Sequence, residues 1–296
     1  MASRSDRGRV LVTGLDGFTG IHLGPVLAQQ GYEVVRAGEP EFDLLRPESV
    51  AAVVERAQPD FVIHLAAISF VAHEDASAVY AVNTVGATSL LEALERVAPR
   101  LRKVILASTS QVYGNATEDP ITEDTPAAPV SHYACSKLAM ELMARSWFDR
   151  LPILITRPFN YIGRGQAGQF LLPKLIDHFQ RRAPVIELGN LDVERDFLDV
   201  RSVADVYARL LESPLHSQVL NISSGVGRSL RSIIGELARI TDHRLTTNVN
   251  AALVRSNEVK RMVGSSERLQ AAIGPLRYSD FEATLRWMLE MSTQPA

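Results

Sequence analysis

Short runs of Val, Ile and Leu alternate with stretches whose apolar residues recur every three or four positions through the first 160 residues or so. An unbroken apolar run of this length reads as a strand buried on both faces, and the wider recurrence as a helix with one face on the core. On that basis "RVLVTG" (9–14) is a strand, "IHLGPVLAQQG" (21–31) a helix closing at Gly31, and "YEVVRAG" (32–38) a second strand. "PESVAAVVERAQ" (47–58) is a helix opened by Pro47, "FVIHLAA" (61–67) a strand, and "NTVGATSLLEALERV" (83–97) a helix. "KVILAST" (103–109), "YACSKLAMELMARSWFD" (133–149) and "PILITRPF" (152–159) continue as strand, long helix and strand. This order predicts an α/β fold with a doubly wound parallel (Rossmann) sheet. After residue 165 the pattern loosens into helices, Gly/Asn turns and short strands, which reads as a smaller C-terminal α/β lobe. Within it, "DFLDVRSVADVYARLLES" (196–213) is expected to return to the main sheet.

Composition adds exclusions. The chain has 296 residues, 46% hydrophobic and 22% charged, enough to bury a core without covalent staples. A net charge of −3 does not suggest a nucleic-acid groove or an anionic membrane surface, although local arginine clusters suit a small anionic ligand. The single cysteine, Cys135, excludes an internal disulfide and a multi-cysteine metal site, as expected in a reducing cytoplasm. The first ten residues carry no apolar leader, and no apolar run approaches the ~18 residues of a membrane span, so a cytoplasmic protein is expected. The seven histidines show no HxH or HExxH spacing, so no metal site is expected.

Chemistry enters at "VTGLDGFTG", where Gly14, Gly17 and Gly20 stand three apart between a strand and a helix. Glycines there let the backbone approach a diphosphate, whose charge meets the helix N-terminus. The alternative is a tight turn packed for its own sake; the flanking strand and helix favour dinucleotide binding. An acidic residue about 20 positions on would select NAD. In its place "RAGEPEFDLL" offers Arg36 and Gly38, with Glu39 one step late, so Arg36 is either a 2′-phosphate contact or a solvated charge. NAD and NADP both remain open.

Tyr133 and Lys137 in "HYACSK" are four apart and share one helix face. Free tyrosine, with a pKa near ~10, is a poor proton donor at neutrality; an ammonium one turn away and an oxidised nicotinamide would favour its phenolate. Thr109 closes the preceding strand, where open α/β sheets bind ligands, and can hold the oxygen of a reacting carbonyl.

Together these residues resemble the extended short-chain dehydrogenase/reductase family. The resemblance rests on "VTGLDGFTG", "HLAA" (64–67), Asn83 with "TVGATSLLEAL", "STSQVYG" (108–114), "YACSK" and "RPFNYIGRGQ" (157–166), in the family's order over nearly the whole chain. It implies a catalytic Thr109, Tyr133 and Lys137, and a cofactor site of Gly14, Asp16, Gly17, Phe18, Thr19, Gly20, Arg36, Leu65, Ala66, Ala67 and Pro158. It also implies that Asp43 and Leu44 contact adenine, that Asn83 supports the active site, and that Asn160 reaches a nucleotide-sugar diphosphate. The expected division is a dinucleotide-binding domain over 1–165 with about 196–225, and a sugar-nucleotide lobe over 166–195 and 226–296. A homodimer through the helices starting near Thr84 and Tyr133 is implied as well.

"GNLDVERDFLDVRSVADVY" (189–207) is similar to the corresponding segment in enzymes of GDP-mannose conversion, both the 4,6-dehydratase and the 4-keto-6-deoxymannose reductase. Arg195 would pair with the diphosphate; its alternative is an ion pair with Asp196 or Asp199. Segments 221–234 and 255–269 look most like the reductase branch, with Arg255 and Glu258 as nucleotide contacts and Ser265 where many relatives carry Asp. The family's dehydratases place a Glu two residues after the catalytic Thr, as the base that removes the C5 proton. Here Gln111 stands there, and an amide can hydrogen-bond a sugar hydroxyl but cannot take up a proton near neutrality. The expectation is therefore NAD(P)H-dependent reduction of a GDP-4-keto-6-deoxyhexose to a GDP-6-deoxyhexose of the GDP-rhamnose type. The rivals are a dTDP- or UDP-sugar reductase or epimerase, and a dinucleotide sensor, which would have no need of the triad. His132 is expected to shape its loop, Cys135 to face the core, and Trp147 and Phe148 to pack or form a subunit interface.

Overall fold

The apolar runs of the first half become parallel strands of one sheet. In the computed structural model, which describes residues 7–38, 41–69, 75–250, 259–276 and 278–290, these are β1 (Arg9–Thr13), β2 (Glu33–Ala37), β3 (Phe61–His64), β4 (Lys103–Ala107) and β5 (Ile153–Pro158). They lie in the order β2-β1-β3-β4-β5, and a sixth strand, Gln218–Ile222, pairs in parallel with β5. Residues along each strand alternate between two cores. Val10, Ile63 and Ile105 meet α1 (Phe18–Gln29) on one face. Leu11, Val62 and Leu106 face α2 (Pro47–Ala57) on the other, with α3 (Ala76–Tyr80), α4 (Ala87–Val97) and α5 (His132–Ala144) on the same side of the chain path. Burial on both faces is why β1, β3, β4 and β5 read as apolar runs, while the edge strand β2 is only partly covered.

The second half is built around β8 (Glu194–Asp199), which follows β6 (Asn160–Ile162) and β7 (Val185–Leu188) and precedes β9 (Gln218–Ile222). β8 pairs with β6, β10 (Gly227–Ser229) and β12 (Arg261–Met262), while β7 pairs with β11 (Thr246–Val249). The expected return of 196–213 to the main sheet is therefore corrected in part. Its strand portion joins the small sheet, because polar and apolar residues are mixed along "ERDFLD" and do not suit a strand buried on both faces. Only its helix, which comes after α6 (Leu171–Gln180) and is α7 (Val200–Leu211), returns to pack beside α1. The sixth strand of the main sheet is β9, "QVLNI".

A third core joins α6, α8 (Leu230–Thr241) and α10 (Phe281–Leu289) through Leu175, Phe179, Ile233 and Leu285. The short α9 (Glu267–Ile273) packs instead against α7 and β9 through Leu269. A second departure lies before α4. The helix expected from 83 starts at Ala76 and passes through a wide π turn over 81–86. Such turns arise where side-chain demands outweigh regular backbone bonding. Among the described residues no helix is long and apolar enough to cross a membrane.

Candidate active site

The chain leaves β1 toward β2 on one side and β3 toward β4 on the other, so strand order reverses between β1 and β3. A crevice opens beyond the carboxyl ends of strands at such a point. Gly14 turns the chain there at φ +74°, and a Cβ on it would lie 2.8 Å from the Ala66 nitrogen, so the turns after β1 and β3 touch. Gly17 donates to the Gly14 carbonyl at 3.1 Å and caps α1. No side chain caps that end of α1 and no carboxylate lies in its first turn, which suits a bound diphosphate. Gly20 lets α1 sit directly against the Leu15 and Gly14 carbonyls.

The walls follow from both strands. Leu65, Ala66 and Ala67 follow β3, and Thr13 Oγ1 accepts the Ala66 N–H at 3.2 Å while meeting His64 Nδ1 at 2.7 Å. Arg36, at the end of β2, pairs with exposed Asp16 of the glycine turn at 2.7 Å. Glu39 lies outside the described residues. Asp43 accepts the Leu45 N–H at 2.9 Å to close its own loop, and Leu44 is buried beside Gly86. Asn83 is fully buried in the π turn. It accepts from the Ile68 N–H at 2.9 Å and donates to the Ile68 carbonyl and Ser136 Oγ, both at 3.0 Å, which ties the loop after β3 to α5.

Thr109, Tyr133 and Lys137 converge at the end of β4. Ser131 caps α5 by accepting the Ala134 N–H at 3.2 Å, which fixes where the helix begins and points Tyr133 and Lys137 at the strand end. Thr109 lies beside the Tyr133 phenol, accepts the Gln111 N–H at 3.2 Å, and starts the 3₁₀ turn 110–113. Lys137 Nζ donates to the Ala107 carbonyl at 2.8 Å.

Burial pushes the Tyr133 phenol well above its ordinary value; neighbouring Tyr161 adds to the rise, and the Thr109 hydroxyl beside it opposes it. The expected phenolate is thus not what the site sets without cofactor, because Lys137 directs its ammonium to a carbonyl and desolvation dominates. A protonated phenol is the form that donates a proton. Burial lowers Lys137 to about 8, with Glu141 opposing. Burial, with Lys137 nearby, holds His64 at about 3, so its imidazole is neutral.

The residues expected on the sugar side lie on separate elements. Gln111 is half-buried, and its amide makes no side-chain hydrogen bond among the described residues. Pro158 ends β5, buried. Asn160 begins β6, with its amide nitrogen buried and without a protein partner. Arg195 donates to the carbonyls of Glu194 at 2.8 Å and Lys260 at 3.4 Å. Both anions weighed as its partners are engaged elsewhere: Asp199 pairs with Arg201 at 2.5 Å, and Asp196 accepts the Ser224 and Gly225 N–H groups at 2.9–3.0 Å. Arg255 and Glu258 lie outside the described residues. Buried Ser265 accepts the Glu267 N–H at the start of α9. Trp147 packs into the core and donates to Glu95 at 2.9 Å, and His132 sits exposed, edge-on to Tyr80. Cys135 is half-buried near Pro129, not core-facing, because Ala134 and Ser136 take the inward positions.

Three features escaped the sequence reading. Tyr161 stacks on Phe18 with ring centroids 5.7 Å apart and meets Thr19 Oγ1 at 2.8 Å, which links the glycine turn to β6. His64 sits beneath the crevice with Nε2 buried and without a hydrogen-bond partner. Glu141 and Arg157 form a buried ion pair at 2.5 Å behind Thr109. For Glu141 the signal was present: it lies four residues past Lys137, on the same helix face.

Comparison with known proteins agrees with this geometry. Residues 10–223 match the NAD dependent epimerase/dehydratase family. The chain is 34% identical over 283 residues to the GDP-6-deoxy-D-talose 4-dehydrogenase of Aggregatibacter actinomycetemcomitans, across 95% of this chain and 96% of that protein. It is 35% identical over 278 residues to the GDP-6-deoxy-D-mannose reductase of Pseudomonas aeruginosa, across 90% and 91%. The structure of RMD from Pseudomonas aeruginosa complexed with NADPH matches with a TM-score of 0.86 at 34% identity, across 96% of each chain. With its glycine turn at the switch point, the chain belongs to the NAD dependent epimerase/dehydratase family and is an NAD(P)-dependent oxidoreductase of nucleotide sugars.

Proposed function

We propose that the protein reduces the 4-keto group of a GDP-4-keto-6-deoxyhexose, giving a GDP-6-deoxyhexose of the GDP-rhamnose type. The observation that carries this reading is Gln111. It stands two residues past Thr109 at the mouth of the site, where removal of a C5 proton would need a titratable base. Ketone reduction needs only a hydride and a proton. The turn 14–20, Arg36 and the segment 65–67 would hold NADPH or NADH in the crevice, and the bound cofactor would supply the hydride. Thr109 holds the C4 oxygen, and Tyr133, protonated in its buried setting, delivers the proton to it. The Lys137 ammonium then compensates the phenolate left behind.

On the sugar-nucleotide side, the unpartnered Asn160 amide is a donor ready for a phosphate or sugar oxygen. Arg195 is placed beside it on neighbouring strands, and Arg255 and Glu258 complete the nucleotide contacts in this reading. The lobe of residues 166–195 and 226–296 then holds the nucleotide sugar, and 1–165 with 196–225 the cofactor. The two named relatives act on GDP-6-deoxysugars, one of them at the 4-position, which favours GDP over other carriers. The protein acts as a homodimer in this account, with exposed Val85 and Leu142 in the contact; sedimentation equilibrium of a monomer at micromolar concentration would count against that.

The test is a substrate panel. Purified protein with NADPH or NADH is given GDP-4-keto-6-deoxymannose, a dTDP-4-keto-6-deoxyglucose or GDP-mannose, and absorbance at 340 nm and product mass are followed. Cofactor oxidation with the GDP ketosugar is expected. Oxidation with the dTDP substrate alone, or consumption of GDP-mannose without added reductant, would overturn the assignment.

A further inference from the structure

We propose that Glu141 is a positioning residue for the proton-transferring pair: clamped by Arg157, its carboxylate ties Ser108 to α5 and supplies the negative charge that keeps Lys137 an ammonium. The proposal rests on the reading that Tyr133 and Lys137 move the proton.

Residues 133, 137 and 141 stand one turn apart on α5 and meet the end of β4 as three successive rungs. Tyr133 lies beside Thr109, Lys137 Nζ donates to the Ala107 carbonyl at 2.8 Å, and Glu141 Oε1 accepts the Ser108 hydroxyl at 2.5 Å. Residues 107, 108 and 109 thus each meet a different turn of one helix. The innermost rung is fully buried. Arg157 reaches it from β5, donating from Nε at 2.9 Å and from Nη2 at 2.5 Å, and its guanidinium lies 4.7 Å from the centre of the Tyr113 ring. Tyr113 is fixed in turn by donating to Asn221 on β9 at 2.7 Å.

A buried ion pair seldom improves on well-packed apolar residues of equal volume, so stability alone does not account for this one. Lys137 does. Its ammonium is 2% exposed, and burial favours the neutral amine. From β3 His64 lies nearby, held neutral by its burial and by Lys137, and so brings no charge of its own. From its own helix Tyr133 is protonated, β4 offers the Ala107 carbonyl with the Ser108 and Thr109 hydroxyls, and the π turn offers only Asn83 and Thr84, which do not titrate. Among the described residues Glu141 is the group that pulls Lys137 back toward the charged form. Arg157 makes that role possible, because a lone buried carboxylate would take up a proton instead.

The chain has four lysines, Lys103, Lys137, Lys174 and Lys260, so lysine labelled with ¹³C at Cε gives four resonances to titrate by NMR. Lys137 is identified by its loss in Lys137→Met. In the wild type its midpoint is expected at about 8. In Glu141→Gln it should fall by about one pH unit, and the pH at which kcat for GDP-4-keto-6-deoxymannose reduction changes should move with it, with the NADPH Kd unchanged. Glu141→Gln leaves Arg157 buried without its anion and can fail to fold. The double variant Glu141→Gln/Arg157→Met removes both charges together, and the same shifts are expected there. An unmoved Lys137 midpoint in a variant with wild-type circular dichroism overturns the proposal, as does a shifted midpoint with an unchanged kcat profile. Full activity in Tyr133→Phe would instead remove the underlying assignment, and the lysine titration would still report on Glu141.

Discussion

Replacing Lys137 by Met should make the protein more stable and nearly inactive. The side chain is 2% exposed, and its pKa falls from 10.5 to about 8 because burial penalises the ammonium. At about 1.4 kcal/mol per pH unit that gap corresponds to roughly 3 kcal/mol of native stability forgone at neutral pH. Methionine keeps the volume, removes the charge and loses the hydrogen bond to the Ala107 carbonyl, worth about 1 kcal/mol. The net expectation is a gain of about 1–2 kcal/mol, or about 2–3 °C in Tm for a chain of this size. The pH dependence has a definite sign. Between about 8 and 10.5 the unfolded lysine holds a proton that the folded one has released, so wild-type stability from this group rises across that window. Below it the whole penalty remains. Reversible urea unfolding of both proteins at pH 7 and pH 10 measures the difference, in which groups common to both cancel. Lys137→Met should be the more stable at pH 7, and its advantage should shrink at pH 10. A variant less stable at pH 7, or an advantage independent of pH, would refute the reasoning. Over the same series kcat should fall at least about 100-fold.

Tyr133→Phe should lower kcat about 10²- to 10⁴-fold while KM and the cofactor Kd, measured by fluorescence titration, change by less than about threefold. Asn83→Ala strands the Ile68 N–H and carbonyl, at about 1–3 kcal/mol each, so urea unfolding should show a loss of about 2–6 kcal/mol. Arg36 and Asp16 are each more than half exposed, and such a pair contributes less than about 1 kcal/mol. Arg36→Ala should therefore leave Tm unchanged. It should weaken NADPH binding about tenfold more than NADH binding, and equal weakening of both would show that Arg36 does not meet the 2′-phosphate.

Five of the six strands of the main sheet were legible in the sequence: β1, β3, β4 and β5 are buried almost throughout and so apolar along most of their length, and the edge strand β2 keeps the apolar pair Val34 and Val35. The sixth was not. "QVLNI" carries Gln218 and Asn221, and its place is set by pairing with β5 some 65 positions earlier, a contact no local pattern records. "ERDFLD" misled for the complementary reason: Asp196 is buried only because the Ser224 and Gly225 amides wrap it. The glycine turn and the Tyr133–Lys137 spacing were readable because each is a pattern of near neighbours in sequence. The π turn at 81–86 exists to bring Asn83 to Ile68 and Ser136, partners from separate segments. Glu141 and Arg157 lie 16 positions apart, and alone each resembles a surface charge.

The central claim is hydride delivery to C4 with no base acting at C5, and isotope tracing tests it most directly. Wild-type protein should be incubated in D₂O with GDP-4-keto-6-deoxymannose and NADPH, and in H₂O with cofactor deuterated at its transferable position. Product NMR should show deuterium at C4 only when the cofactor carries it, and a C5 proton retained to the level of an enzyme-free control in D₂O. Enzyme-dependent deuterium at C5 from solvent, or none at C4 from the labelled cofactor, would contradict the account.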